Sequence, residues 1–358
     1  MSITCQHFER CGGCSLQHLP EAEYYQFKKN ILRKILQRLN CKEDTLTDIV
    51  RIAPQTRRRV EFKTSVNKSK ISLGFCEAKS HSVVNISECL VIEPEIFELS
   101  EKLRELLSHL KKIGNIDGIN ISNHSNGFDV FFLAKSPINP ADKAAIIDFS
   151  KQNNILRCGE KIDTDELRIF YNSTTVITNF GTAKIELPAG AFLQATQAGQ
   201  NAITDFILQN LKGAKTVADL YSGCGTYSFP MAQTGSIVSA YEGSYDMVLA
   251  MNNAIRQNGM DSQISAQSRD LYKSPVRADE LNAFDAIIIN PPRNGALTQV
   301  KQIAHSGVKD VVMVSCNPQT FERDAKCLID TGYKLEKIVP IDQFLWSNHL
   351  ELAAYFKK

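Results

Sequence analysis

The pattern of apolar and polar positions divides the chain near Thr196. Beyond that point short apolar segments alternate with helical ones, which predicts a doubly wound, largely parallel sheet. Ligands bind such sheets at the carboxyl ends of the strands, so we expect the chemistry there. The predicted strands are Val217–Tyr221, Ile237–Glu242, Ile264–Ser268, Ala286–Asn290, Val311–Ser315 and Lys334–Pro340, with Leu350–Phe356 as an additional candidate.

The first half of the chain follows a different pattern. Apolar residues recur at helical spacing from Tyr24 to Leu39 and predict a helix over 21–39. The segments after it predict a small α+β domain with a mostly antiparallel sheet. Its expected strands cover 58–66, 71–76, 83–86, 117–122 and 128–133, and its expected helices cover 95–112 and 140–152.

Composition places the chain among globular proteins, since 43% of its 358 residues are hydrophobic and 22% are charged. This length exceeds one ordinary core and indicates two or three domains. No apolar run approaches the ~20 residues of a membrane span, and the first residues lack the apolar segment of a secretory signal. We therefore expect a cytoplasmic protein, and a net charge of +2 leaves room for a local basic patch.

The ten cysteines are unevenly distributed, because Cys5, Cys11 and Cys14 fall within ten residues. Disulfides are rare in cytoplasmic proteins, so this cluster indicates a metal ion or an iron–sulfur cluster. Zinc is the main alternative, since it also takes four thiolate ligands.

A glycine-containing loop follows the first strand of the second half. Gly223 and Gly225 let the backbone turn tightly and approach a ligand closely, and the loop does not match the dinucleotide pattern GxGxxG. Glu242 ends the next strand, where a carboxylate accepts hydrogen bonds from ribose hydroxyls. Together they predict a site for an adenosyl group. The alternative is that the glycines only form a strand-to-helix turn.

The segment Asn290-Pro-Pro-Arg293 ends a later strand and directs the Asn290 amide toward the same cleft. Methyltransferases that act on amino groups carry a similar segment with an aromatic residue after the prolines, which stacks on the target base. Arg293 stands at that position here, which argues against methylation of an exocyclic amine.

Cys316 lies where a buried strand meets a helix, with Asn317 as the expected N-cap and Pro318 as the first helical residue. The positive end of the helix dipole should lower the pKa of this thiol and favour the thiolate. A thiolate that attacks C6 of uracil makes C5 able to accept a methyl group, and Glu351 is the candidate base for the C5 proton. The alternative is a small core cysteine.

Two basic groups could neutralise RNA phosphates. One is Arg57–Arg59, followed by Phe62 and Lys63, which we interpret as facing RNA. The other lies on the first helix, at Lys28, Lys29, Arg33 and Lys34, where a merely solvated face is equally consistent with the sequence.

In this order, the cysteine cluster, DLYSGCG, Glu242, NPPR, VSCNP and HLELA resemble the RNA uracil-C5 methyltransferase family over nearly the whole chain. The resemblance implies Cys316 as nucleophile and Glu351 as general base, with S-adenosylmethionine as cofactor. It implies cofactor contacts from Gln194, Tyr221, Glu242 and Asn290. It also implies a 4Fe–4S cluster on Cys5, Cys11, Cys14 and Cys89, with Cys41 and Cys76 as competitors for the fourth position.

The resemblance predicts three parts. Residues 1–90 form an iron–sulfur segment with an RNA-facing basic strand and helix, 91–190 a central α+β RNA-binding domain, and 191–358 a Rossmann-like α/β methyltransferase domain. The short chain, without an N-terminal RNA-binding barrel, is most similar to the 23S ribosomal RNA branch, and transfer RNA is the other candidate substrate. Nothing in the sequence indicates an obligate protein partner.

Some positions depart from the family pattern, among them Ser222 and Asn294. Asn290 stands where an Asp is common, and Thr196 stands where an Asn often follows the glutamine. Two other functions stay open, an amino-group methyltransferase without a covalent step and a non-catalytic, redox-sensing RNA-binding protein.

Overall fold

The computed structural model describes residues 4–67, 70–162 and 167–358. Its strands are β1 (Val50–Arg51), β2 (Arg59–Asn67), β3 (Lys70–Cys76), β4 (Val83–Asn85), β5 (Ile116–His124), β6 (Gly127–Ala134), β7 (Ile155–Ile162), β8 (Leu167–Asn172), β9 (Ile177–Phe180), β10 (Ala183–Glu186), β11 (Thr216–Leu220), β12 (Ile237–Glu242), β13 (Ile264–Ser268), β14 (Ala286–Ile289), β15 (Asp310–Ser315), β16 (Lys334–Asp342) and β17 (Glu351–Lys357).

The helices are α1 (Glu21–Arg38), α2 (Pro94–His109), α3 (Pro140–Gln152), α4 (Gln197–Asn210), α5 (Ser228–Gln233), α6 (Tyr245–Gln257), α7 (Ala278–Leu281), α8 (Leu297–His305) and α9 (Pro318–Ile329). None of the helices in the described ranges is long and apolar enough to cross a membrane. Each strand and helix predicted from the sequence is present, with ends that differ by a few residues.

One sheet belongs to the first half of the chain and has the order β4-β3-β2-β5-β6-β7-β8. It is antiparallel except where β6 pairs with β7. Helices α2 and α3 cover it, and the core between them is apolar, with Phe62, Leu103 and Phe132 fully buried. The predicted antiparallel character is confirmed. The boundary expected at residue 90 stays a prediction, since β2–β4 before it and β5–β8 after it share this sheet.

The second sheet has the order β1-β16-β17-β15-β14-β11-β12-β13. Strands β11–β15 are parallel, whereas β17 runs antiparallel between β15 and β16. The predicted doubly wound, largely parallel sheet is therefore confirmed. Because β17 is reversed, its first residue, Glu351, lies at the edge where the parallel strands end.

Helix α1 packs on this second sheet, because Leu32, Ile35 and Leu36 join its core. Lys28, on the same side of α1, is fully buried and forms an ion pair with Asp342 at 3.0 Å. Tyr24 donates a hydrogen bond to the other oxygen of Asp342 at 2.6 Å. Lys28 therefore belongs to neither of the surfaces that the sequence left open, RNA-facing or solvated, because its charge is neutralised in the interior.

Candidate active site

The nucleophile candidate lies between two loops that are tied together. Asn317 caps α9, its Oδ1 accepting from the Gln319 amide at 3.0 Å, and Pro318 begins the helix as predicted. The Asn317 side chain and the Thr320 hydroxyl each donate to the backbone oxygen of Arg293 at 3.1 Å. These bonds hold the loop after β14 beside the loop after β15, and thereby place Arg293 next to Cys316.

The pKa of the Cys316 thiol differs from the sequence expectation. Burial and the nearby Glu351 carboxylate raise it above the ordinary value, whereas the Arg293 guanidinium, within hydrogen-bonding reach, acts to lower it. The start of a helix does not outweigh the loss of water around a half-buried thiol. The protein alone therefore keeps Cys316 largely protonated, and Arg293 is the group that stabilises its thiolate.

Glu351 opens β17 and is 3% exposed. Burial raises the pKa of its carboxyl to about 7, although the nearby Arg59 and Arg293 act in the opposite direction. A carboxyl that titrates near neutral pH is suited to accept and release a proton. The structure thus brings Cys316 and Glu351 to one edge of the sheet, where the Glu351 carboxylate disfavours the Cys316 thiolate.

A buried chain of amides holds Glu351. The Gln343 side-chain nitrogen donates both to Glu351 Oε2 and to Gln194 Oε1, each at 2.8 Å. Gln194 in turn donates to the Tyr227 hydroxyl at 3.1 Å. Gln343 and Tyr227 were missed in the sequence, because neither belongs to a motif. Gln194, predicted as a cofactor contact, belongs to this hydrogen-bond network and is linked to Glu351 through Gln343.

The other three predicted cofactor residues lie at the ends of adjacent parallel strands. Glu242 ends β12 and accepts from the amides of Gly223 at 2.9 Å and Ser244 at 2.8 Å. Tyr221 follows β11 with φ +61°. Asn290 follows β14, and its backbone N–H donates to the backbone oxygen of Leu220 at 3.2 Å. The bond from Gly223 holds the glycine loop, residues 221–226, against the Glu242 carboxylate.

Several polar atoms at the end of β11 and in the glycine loop after it lack hydrogen-bond partners in the part of the chain that the structure describes. They are the Asp219 Oδ1, Tyr221 Oη and Ser222 Oγ atoms, all buried. Gly223 has φ +58° and open space where a Cβ would stand. Buried polar atoms normally have partners, so this loop fits a polar ligand such as an adenosyl cofactor.

Asp219 was not predicted as a site residue, although it begins the loop motif. It is fully buried, and its Oδ2 accepts from the Ser228 hydroxyl at 2.5 Å. Burial raises the pKa of this carboxyl to about 7, because the hydrogen bonds from Ser228 compensate only in part. Its free oxygen is therefore a candidate acceptor for a ligand.

The three arginines of residues 57–59 have different environments. Arg58 is 6% exposed, and its guanidinium donates to the Gln194 oxygen and to the side chains of Gln197 and Gln200. Arg59 stacks on the exposed ring of Phe192, 4.3 Å from its centroid. Arg58 is therefore a structural contact between the two halves of the chain, which corrects the interpretation of all three as RNA-facing.

The four cysteines predicted as metal ligands line one cavity of about 560 Å³, together with Arg57. Burial raises the pKa of Cys5 to about 11 and of Cys14 to about 12. Cys41 lines a different cavity. Within residues 4–67, 70–162 and 167–358, no group of three or more His, Cys, Asp or Glu side chains is arranged to hold a metal ion.

Backbone and side-chain contacts bring the N-terminal cysteines to Cys89. The Ser87 amide donates to His7 Nε2 at 2.8 Å, and the Gln6 amide donates to Glu88 Oε1. Gly12 donates to the Cys76 oxygen at 2.9 Å, an approach so close that a Cβ on Gly12 would contact this oxygen.

Comparison with known proteins identifies relatives of this chain. Residues 183–358 match the sequence profile of the family described as tRNA (uracil-5-)-methyltransferase. The chain is 36% identical to an uncharacterized RNA methyltransferase of Mesorhizobium japonicum, over 99% of this chain and 84% of that relative. It is 28% identical to the 23S rRNA (uracil(1939)-C(5))-methyltransferase RlmD of Shewanella halifaxensis, over 100% of this chain and 82% of the relative.

A solved structure with a similar fold is the Pyrococcus abyssi tRNA (uracil-54, C5)-methyltransferase in complex with S-adenosyl-L-homocysteine. It aligns with a TM-score of 0.75 and 22% identity, covering 96% of this chain and 85% of that one. At that identity the similarity shows the fold, a methyltransferase α/β architecture with mixed sheets.

Proposed function

Because the chain belongs to the RNA uracil-C5 methyltransferase family, we propose that it methylates a uracil in 23S ribosomal RNA through a covalent bond to Cys316. The chain is an RNA (uracil-5-)-methyltransferase that depends on S-adenosylmethionine. The observation that supports the covalent route is the pairing at one sheet edge of a half-buried thiol beside Arg293 and a buried carboxyl whose pKa is about 7.

The proposed reaction uses these groups in turn. The Cys316 thiolate, stabilised by Arg293, bonds to C6 of uracil and moves the C5–C6 electron pair toward C4, so that C5 becomes nucleophilic. S-adenosylmethionine, when bound, supplies an electrophilic methyl group to that carbon. The Glu351 carboxylate then removes the C5 proton, the C5–C6 double bond forms again, and the bond between Sγ and C6 breaks.

We propose that the glycine loop and the strand ends beside it bind the cofactor. Glu242 is held by two backbone amides and keeps lone pairs for ribose hydroxyls. The buried atoms of Asp219, Tyr221 and Ser222 that have no hydrogen-bond partner among the described residues supply further hydrogen-bonding groups. Asn290 lies on the neighbouring strand end. Gln194 accepts a hydrogen bond from Gln343, which also bonds Glu351, and this supports a role for Gln194 near the target base.

Ribosomal RNA is the favoured substrate because RlmD, the 23S rRNA relative, aligns with the whole chain at 28% identity. The transfer RNA enzyme of Pyrococcus abyssi shares the fold at 22% identity, which carries no information on the choice of RNA. Transfer RNA is therefore the competing substrate in the test.

We also propose that Cys5, Cys11, Cys14 and Cys89 hold a 4Fe–4S cluster. Zinc needs four sulfurs about 2.3 Å from one point, and the described residues contain no such compact group. The four thiols instead surround a cavity, which is consistent with a ligand of several atoms. Iron and sulfide analysis of protein purified without oxygen should detect the cluster, Cys89→Ser should lose it, and Cys76→Ser should retain it. Zinc in place of iron would contradict the proposal.

The function is tested by incubating the protein with methyl-labelled S-adenosylmethionine and either unmodified 23S RNA or transfer RNA, followed by digestion to nucleosides. We expect label in 5-methyluridine from 23S RNA alone. Label from transfer RNA alone would overturn the choice of substrate. Label in a methylated amino group, or activity retained by Cys316→Ala, would overturn the covalent reaction.

A further inference from the structure

A groove of about 660 Å³ extends from the nucleophile along helix α1. One wall is formed by a face of α1 that includes Phe27 and Lys34, and the other by the loops that carry Arg293 and Cys316. His349, two residues before Glu351, lies at the same place. The groove is therefore continuous with the site proposed above.

Lys34, on this face of α1, differs from the other basic residues of the helix, since even Arg38, which also lines the groove, pairs with Glu322 at 2.6 Å. The other basic residues on its first four turns already have partners: Lys28 pairs with Asp342 inside the protein, Lys29 with Asp48 at 2.6 Å, and Arg33 with Glu43 at 2.7 Å. Lys34 is exposed and pairs with no acidic side chain in the ranges that the structure describes. Among the described residues, Lys34 is thus the basic side chain on the first four turns of α1 without an acidic partner, and it lines the groove that contains Cys316.

Phe27 adds an aromatic surface to this charge. Its side chain is 37% exposed. Ile31, one helical turn later, is half-buried and lines the same groove. Aromatic rings interleaved with basic groups along a groove are the features that bind single-stranded nucleic acid, because bases stack on the rings while the charges follow the phosphates.

We propose that the single-stranded RNA adjoining the target uracil lies in this groove, with one base stacked on Phe27 and a phosphate beside Lys34. The proposal rests on the function proposed above. RNA is a polymer, so when one uracil reaches Cys316 its neighbours must leave the site along the surface. A target base must also be unstacked for its C6 to be attacked, and a ring beside the site replaces part of the lost stacking.

The test measures binding of unmodified 23S RNA separately from methylation. Phe27→Ala should raise Kd and KM at least about fivefold, with kcat at saturating RNA unchanged, because a stacked base is lost. Phe27→Tyr should restore binding. Lys34→Ala should weaken binding and reduce the slope of log K against log salt by about 1.

The controls lie at the opposite, amino-terminal edge of the second sheet. Ile237, 55% exposed, begins β12, and Lys334 begins β16. Ile237→Ala and Lys334→Ala should bind RNA as the unaltered protein does. Wild-type affinity and salt slope in both Phe27→Ala and Lys34→Ala would overturn the groove proposal. Normal RNA binding by the unaltered protein without 5-methyluridine would instead contradict the proposed function, since binding is measured independently.

Discussion

The proposed nucleophile and the proposed base lie in regions that differ in their exposure to solvent. Cys316 lies in a half-buried loop at the end of a groove, with an exposed arginine as its charged neighbour. Glu351 is buried and accepts a hydrogen bond from the buried side-chain amide of Gln343. The difference has a chemical reason, because the thiol must be reached by a large RNA, whereas a carboxylate becomes a stronger base when water is removed from it.

The two regions also differ in how they are supported. Loop-to-loop hydrogen bonds through Arg293 position Cys316. The segment before Glu351 is held by a buried ion pair instead, since Lys28 binds Asp342 and also donates to the backbone oxygens of Phe344 and His349. Substitution of Cys316 should therefore reduce the methylation rate, whereas substitution of Lys28 should reduce the stability of the fold.

The largest expected effect is on the nucleophile side. Cys316→Ala should lower the methylation rate by about 10⁴-fold or more, because no covalent step remains. Glu351→Gln should lower turnover by about 10²–10⁴-fold and should leave RNA covalently attached, since the adduct forms but its proton is not removed. Denaturing gel electrophoresis with labelled RNA measures this difference. Cys327→Ala, on helix α9, is the matched control, and a Glu351→Gln protein without attached RNA would contradict the assignment of the base.

The next largest effect concerns the support of the base. Lys28→Ala should reduce the free energy of unfolding by about 3–5 kcal/mol, because it removes the positively charged partner of the buried Asp342 carboxylate and leaves the Tyr24 hydroxyl as its donor. Urea unfolding followed by circular dichroism provides the measurement. Lys29→Ala, which removes an exposed partner of Asp48, should change stability little. Equal losses in the two variants would show that burial of the Lys28 pair is unimportant.

A smaller effect is expected from the amide beside the base. Gln343→Leu should lower kcat at pH 7 by roughly tenfold, because the lost hydrogen bond favoured the charged carboxylate. The pKa of Glu351 should rise, and the acid limb of the kcat profile should move to higher pH. Thermal melting checks that the fold is retained. A profile that does not move would contradict the positioning role of Gln343.

An effect of similar size is the pH dependence of the unaltered protein. Burial raises the pKa of Glu351 to about 7, and only its carboxylate form can accept the C5 proton. The single-turnover rate should therefore increase roughly tenfold between pH 6 and pH 8, and the raised pKa of Cys316 acts in the same direction. A rate that is constant from pH 5.5 to pH 8 would show that Glu351 is not the base.

Local patterns were sufficient wherever a residue's role depends on its own segment. The alternation beyond Thr196 predicted the parallel sheet, and the ends of its strands identified Glu242, Asn290 and Cys316. The caps at Asn317 and Pro318 were predicted for the same reason, since a helix begins through contacts among neighbouring residues. Strands β7 and β8 were not predicted, although they extend the first sheet beyond β6.

The sequence by itself determined the family, the two kinds of sheet and the residues at the strand ends, because periodicity and loop motifs are local properties. Only the tertiary structure decided which charges are free. Lys28, Lys34 and Arg58 look alike in the sequence, yet Lys28 and Arg58 are buried with partners and Lys34 faces the groove. It likewise decided that Gln343 touches Glu351. Burial and pairing depend on residues distant in the chain, so no local pattern carries them.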